Sequence, residues 1–250
     1  MTPPTGILET LVGVGALAAL TSLALGAFRV PRMWEPAIAI TRGVVQLAVI
    51  SVILSGIITS PALIGVTLVV MLAIASGVAT GRIGWTTRAF AVMSTSIAAG
   101  VIVATLIVFL TGALEFTARY ALAIGAIVIG NTMSIATLTG RTFTTAVDDH
   151  WDEVEGWLAL GATPRQATIT LARGCVRSAL IPSIDQTKTT GLVVLPGAFV
   201  GAIFGGISPL EAGRFQIVVL AAIMAAGSLT SVLTATWMGN QRTRPKIVSR

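Results

Sequence analysis

Residues 142–165 read TFTTAVDDHWDEVEGWLALGATPR. The stretch begins the one polar island, Thr142 to Lys188, in an otherwise oily chain. The island opens acidic, with Asp148, Asp149, Asp152, Glu153 and Glu155. It turns at Leu160-Gly161-Ala162-Thr163-Pro164 and continues basic, with Arg165, Arg173, Arg177 and Lys188. Val147, Trp151, Val154 and Leu158 follow helical spacing and form one apolar stripe. Acidic residues at the head of such a helix suit the positive end of its dipole. Gly161 stands where a helix C-terminus takes glycine. Thr163, Pro164 and Gln166 have the spacing of a cap, a first-turn proline and a capping box. The island therefore reads as two short helices around a turn, with Pro182 ending the second.

Outside the island the composition excludes a soluble domain. Apolar residues make up 54% and charged residues 10% of the 250 positions, against roughly 25% charged in soluble proteins. Mean hydropathy is +0.91. Spanning a hydrocarbon core takes roughly 20 apolar residues. Seven runs qualify, near 6–28, 36–58, 61–80, 89–112, 119–139, 189–208 and 212–238. The fold class is all-α and polytopic, with about seven transmembrane helices and one cytoplasmic helix-turn-helix segment at about 142–188. Residues 1–250 read as a single transmembrane domain. Residues 1–5 carry no Lys or Arg, so the first run reads as a retained span rather than a cleaved signal.

An outside N-terminus places Arg29, Arg32, Arg42, Arg82, Arg88, the island with Lys188, and the C-terminal tail on the cytoplasmic side. Only Arg119 and Arg214 of the sixteen basic residues then lie outside, as the positive-inside rule asks. The net charge of +6 is thus accounted for by topology. There is no basic patch with interleaved aromatics, which speaks against nucleic acid. One cysteine, Cys175, excludes an internal disulfide, and one histidine, His150, excludes a His-rich metal site within one chain. No P-loop lysine pattern occurs, so any ATP hydrolysis by that route belongs to another polypeptide.

Several short motifs occur in a characteristic order. They are Arg42 with Gln46-Leu47, Gly130-Asn131-Thr132-Met133, Glu153-Val154-Glu155, Leu158 to Pro164, Gly191-Leu192-Val193, Leu195-Pro196-Gly197, Ser208-Pro209 with Ala212, and Phe215-Gln216-Ile217. Together they resemble the FetB-type iron-export permeases, from Arg42 to about Met224. The resemblance implies a permease subunit of an ABC transporter, not itself an enzyme. It implies a separate cytoplasmic ATPase that carries the ATP and magnesium, and export of iron or a related solute. It also implies an integral protein of a bacterial inner membrane, working as a homodimer among membrane lipid. The chain departs from the family after Pro196-Gly197. Ala198-Phe199-Val200-Gly201-Ala202 stands where the family has a methionine pair and then Thr-Gly-Gln, which loosens the link to iron.

Glu155 six residues before Gly161 resembles the coupling motif of ABC importers, in which a short helix docks on the ATPase. The expected docking set is Asp152, Glu153, Glu155, Leu158, Gly161, Ala162, Thr163 and Pro164. The alternative is an amphipathic helix lying in the headgroups. Arg42 and Gln46, one turn apart, either line the inner mouth of a path or place Arg42 at the headgroups. Asn131 and Met133 either line that path or join neighbouring helices. Pro196, Gly197, Gly201 and Gly205 form either a smooth packing face or a broken helix lining a cavity. The spans offer almost no iron ligands, and the ligands of any metal stay unassigned. An ion-gradient-driven transporter or channel, or a scaffold that recruits a cytoplasmic partner, are the rival classes.

Overall fold

The structure is a computed structural model that describes residues 5–57, 60–240 and 243–244. Its elements in chain order are α1 Thr5–Ala27, α2 Glu35–Ile57, α3 Pro61–Ile83, α4 Thr87–Leu110, α5 Ala118–Asp149, α6 Trp151–Ala159, α7 Pro164–Thr189, α8 Gly197–Phe204 and α9 Pro209–Met238. Among the described residues there is no strand, only an isolated bridge between Thr190 and Val194. Among the described residues five helices are long and apolar enough to cross a membrane: α1, α3, α4, α5 and α9. The chain divides into two compact units, Met1–Thr59 and Ser60–Arg250.

The first unit is a helical hairpin. The connection after α1 passes through Arg29 and Arg32, both at positive φ (57° and 61°). Arg32 then pairs with Glu35 at the head of α2, at 3.1 Å. Both helices are exposed along most of their length.

The second unit begins with local signals. Pro61 opens α3. The side chains of Thr86, Thr117 and Ser208 cap α4, α5 and α9 by accepting from the backbone N–H groups of Ala89, Tyr120 and Glu211. A hydroxyl in that position contributes about 1 kcal/mol. α3, α4, α5 and α9 then enclose a core that includes Met93, Ile97, Ile124, Val128 and Ile223. Thr80, Thr132, Thr139 and Thr230 are wholly buried among these apolar residues. Each of the first three donates to the carbonyl one turn back in its own helix. Large aliphatics such as Val69, Ile74, Val103 and Leu106 point outward instead. Small polar groups inside with large apolar groups outside is the pattern of helices packed in lipid.

Small residues fix how closely the helices approach. A Cβ on Gly100 of α4 would stand 2.2 Å from Thr230 Oγ1 and 2.6 Å from the Ala226 carbonyl oxygen. α4 and α9 therefore meet backbone to backbone, and Thr230 donates across the contact to Ser96 O at 3.2 Å. Arg88 donates to Asn240 O, so the two helices run antiparallel. α5 runs parallel to α9: Tyr120 meets Phe215 near their starts, and Ile135 fills the space over Gly227.

α7 corrects two expectations. It is a 26-residue helix that continues through Pro182, so the proline does not end it. Its buried stripe, Thr168, Ala172, Cys175, Ala179 and Ser183, runs on past the proline against the bundle. Thr168 Oγ1 donates to Gly239 O at 3.2 Å. Twelve residues on, Leu180 reaches within 3.6 Å of where a Cβ on Gly227 would sit, twelve residues back along α9. α7 thus runs antiparallel to α9 along much of its length.

The island is therefore not two short helices outside the bundle. Residues 142–149 are the last two turns of α5, and the segment beyond α6 climbs the side of α9. The run 189–208, read as the sixth span, is also corrected. It is a turn over residues 190–196 followed by α8, of 8 residues. At 1.5 Å per residue α8 is about 12 Å long, less than half a hydrocarbon core. Gly191 at φ 83° and Pro196 before α8 interrupt what hydropathy presents as one run. Lys188 lies in the last turn of α7, at the far end from the Thr163 cap.

Candidate functional site

The island's corner is built from three local devices. His150, at φ −114° and ψ 31°, breaks α5 from α6. Its ring Nδ1 lies 3.0 Å from Ala146 O, a contact that holds the imidazole against the end of α5. α6 then ends in a glycine turn. Gly161 N–H donates to Leu158 O and Ala162 N–H to Trp157 O, both at 3.0 Å, with Gly161 at φ 89°. This is the paired hydrogen-bond pattern of a Schellman C-cap. α7 starts with a full capping box: Thr163 accepts from Gln166 N–H, and the Gln166 side chain accepts from Thr163 N–H at 2.8 Å. Pro164 occupies the first turn of α7. Two caps back to back leave the four-residue connection, 160–163, little freedom.

This corner is anchored from beneath. Phe143 and Val147 of α5 pack with Ala172 and Cys175 of α7 and Ala235 of α9, with Trp151 against them. Val154 is 1% exposed. The predicted stripe therefore faces inward, with Val147 as part of α5, Trp151 and Leu158 half-buried and Val154 buried. The C-terminal tail joins the same end: the Arg244 guanidinium donates to the Asp148 carboxylate. That hydrogen bond, helped by the charges of Asp148, Asp152 and Asp149, pushes the Arg244 pKa further above its ordinary value.

The outward side of the corner carries the expected docking residues. Asp152, Glu153, Glu155, Gly161 and Thr163 are exposed, and Ala162 and Pro164 are half-buried. Trp157 and Leu160, at 51% and 82% exposure, stand among them. Sequence reasoning missed these two as surface groups. Their position off the stripe that Trp151, Val154 and Leu158 define was the available signal.

The expected path residues are not assembled at one point of the second unit. Asn131 is half-buried and its amide donates to Ile127 O in its own helix at 2.8 Å. Met133 packs against the main core. Arg42 and Gln46 are both exposed on α2, in the first unit. Pro196 caps α8, Gly197 and Gly201 lie within it and Gly205 follows its end. A Cβ at Gly197 or Gly201 would meet nothing within 4 Å, so the pair makes no close packing within this chain. Phe199, in the segment that departs from the family, comes within 4.0 Å of where a Cβ on Gly213 of α9 would sit. Among the described residues no three His, Cys, Asp or Glu side chains gather as metal ligands.

Comparison with known proteins gives relatives of the same kind. The chain is 38% identical over 198 residues to the UPF0014 membrane protein STAR2 of Oryza sativa subsp. japonica, covering 78% of this chain and 70% of that one. It is 34% identical over 202 residues to Protein ALUMINUM SENSITIVE 3 of Arabidopsis thaliana, covering 80% and 74%. It is 37% identical over 138 residues to the Probable iron export permease protein FetB of Escherichia coli strain K12, covering 55% and 52%. No solved structure matches. The model of the uncharacterised protein family UPF0014 matches residues 9–242. With nearly its whole length inside that match, and helices built to cross a bilayer, the chain is a membrane protein of the UPF0014 family.

Proposed function

We propose that this chain is the permease subunit of an ABC exporter that moves a metal ion, iron by resemblance, or a related solute. It works as a homodimer in a bacterial inner membrane, with separate cytoplasmic ATPase subunits that hold the ATP and magnesium. Seven crossings serve this role: α1, α2, α3, α4, α5, α7 and α9. The N-terminus lies outside and the C-terminus in the cytoplasm, because α7 replaces run 189–208 as the sixth crossing and keeps the parity.

The observation that carries the reading is the doubly capped corner between α6 and α7. It leaves Glu155, Trp157 and Leu160 exposed and is rooted in α5, α7 and α9 through Phe143, Val147, Ala172 and Ala235. A lever for transmitting force needs both properties: a surface a partner can grip and a rigid connection to the helices that move. A headgroup-lying helix does not need the second. Export of iron is supported by the printed name of the Escherichia coli relative.

The test is to purify the chain in mild detergent from the membrane of its own cell and assay the preparation for ATP hydrolysis. The expected result is co-purification of a soluble ATPase whose activity the chain stimulates. Glu155→Lys with Gly161→Trp abolishes both. Repeated purification without an ATPase overturns the proposal and turns attention to ion-gradient-driven flux.

A further inference from the structure

The face of α7 turned away from the bundle is mostly polar. Its buried stripe runs through Thr168, Ala172, Cys175, Ala179 and Ser183. At 100° per residue, the opposite side carries Arg173, Arg177, Asp185 and Lys188, with Thr170, Gly174, Ser178 and Ile181 between them. All eight are exposed. Among the described residues no ion pair includes any of the four charged groups.

The depth of these groups follows from the register of α7 on α9. Thr168 lies beside Gly239 and Leu180 beside Gly227. Counting on along the helix from Leu180, with Ser183 as the last buried residue, sets Arg177 level with Thr230, and Asp185 and Lys188 about level with Ala222 and Val219. Ala222 is near the midpoint of α9, which runs from Pro209 to Met238. Asp185 and Lys188 are thus exposed charges at about mid-depth, level with outward aliphatics such as Leu106 and Ile107 on α4.

A charge at the centre of a helix in lipid costs roughly 2.5–3.5 kcal/mol on insertion scales, and such groups face protein or water. Arg177, near the inner end, reaches headgroups by extending its side chain. Asp185 is too short and too deep for that. The face also carries three basic groups against one acid. Two copies presenting it to each other repel as dry surfaces, and are better separated by water and mobile anions.

We infer that the outward face of α7 is a wall of the water-filled transport path, and that its excess of Arg and Lys selects an anionic solute. This deepens the permease reading above and rests on it. A metal ion passing this wall travels within an anionic complex rather than as a bare cation. The selection follows the general rule that rings of Arg and Lys favour anions.

The experiment uses the full chain with its ATPase partner in membrane vesicles. Cysteines placed singly at Ser178 and Ile181 report on the face without removing a charge. Leu106→Cys on α4 is the lipid-facing control, near the depth of Ile181. Each is made both with Cys175 retained and with Cys175→Ala, so that neither background decides the result alone. The probes are the impermeant methanethiosulfonates, anionic sulfonatoethyl and cationic trimethylammonium-ethyl.

The α7 positions are expected to react roughly tenfold or more faster than Leu106→Cys, because charged reagents do not enter hydrocarbon. Relative to free thiol, the anionic reagent is expected to be severalfold the faster, and Arg177→Gln with Lys188→Gln to erase that preference. α7 cysteines as inert as Leu106→Cys overturn the path. A faster cationic reagent, or no preference between reagents, overturns the anion selection. Inert α7 cysteines in a complex that keeps its stimulated ATPase sink this inference alone. Reactive ones in a chain that never binds an ATPase sink the permease reading and leave the water-lined face standing.

Discussion

α4 and α7 both lie antiparallel to α9, yet they turn opposite faces outward. α4 presents Ile102, Val103, Leu106 and Ile107. α7 presents Arg173, Arg177, Asp185 and Lys188. Inward, both make close contacts through small residues: Gly100 of α4 against Ala226 and Thr230, and Ala172, Cys175 and Ala179 of α7 within its buried stripe. Packing against the bundle therefore does not distinguish the two helices. What distinguishes them is the far face, aliphatic on α4 and charged on α7, which the inference above assigns to lipid and to water.

The largest expected effect tests the inward side of that comparison. Gly100→Ala sets a methyl 2.6 Å from a backbone carbonyl oxygen, which cannot swing away as a flexible side chain does. Overpacking of this kind costs about 1–3 kcal/mol. Gly174→Ala on α7 meets nothing within 4 Å and gains about 1 kcal/mol of helix propensity. Thermal unfolding of the two purified variants should move in opposite directions.

A contrast of similar size tests the outward sides. Leu106→Arg places a charge in lipid, at about 2.5–3.5 kcal/mol on insertion scales, and should lower the amount of chain in the membrane. Ile181→Arg, at similar depth on the polar face, should leave that amount near wild type. Equal losses would remove the distinction between the two helices. Smaller are the corner variants. Gly161→Ala forces a side chain into a left-handed conformation at φ 89°, at roughly 1–2 kcal/mol. Thr163→Ala removes the capping box, at about 1 kcal/mol. Both should loosen the corner, read as faster hydrogen exchange at residues 157–166, while exchange across the contact of α4 with α9 stays unchanged.

The same contrast explains what was legible in the sequence. α3, α4 and α9 stand within a few residues of their hydropathic runs because lipid surrounds their outward faces. The caps at Gly161, Thr163, Pro164 and Gln166 were legible because they depend on neighbours in sequence alone. α7 was not legible as one long helix of the bundle. Hydropathy records contact with lipid, and a helix with a buried stripe of small residues and a charged outward face has little. The run 189–208 was misleading for the converse reason. Its residues are apolar, with Leu192 and Val193 more than four-fifths exposed, but Gly191 and Pro196 prevent one continuous helix. The docking surface was legible in its acids and hidden in Trp157 and Leu160, because an amphipathic pattern identifies the buried stripe and is silent about which remaining apolar residues meet a partner.

The most direct measurement is site-specific photo-crosslinking from Leu160, with a benzophenone side chain placed there and, as a control, at Leu106. Crosslinking is done in the native membrane, and the captured species are identified by mass. A single soluble ATPase captured from Leu160 and only lipid captured from Leu106 is the predicted result. Lipid alone from both positions would contradict the account, because the α6–α7 corner would then be a headgroup-lying helix and not the coupling surface of a transporter.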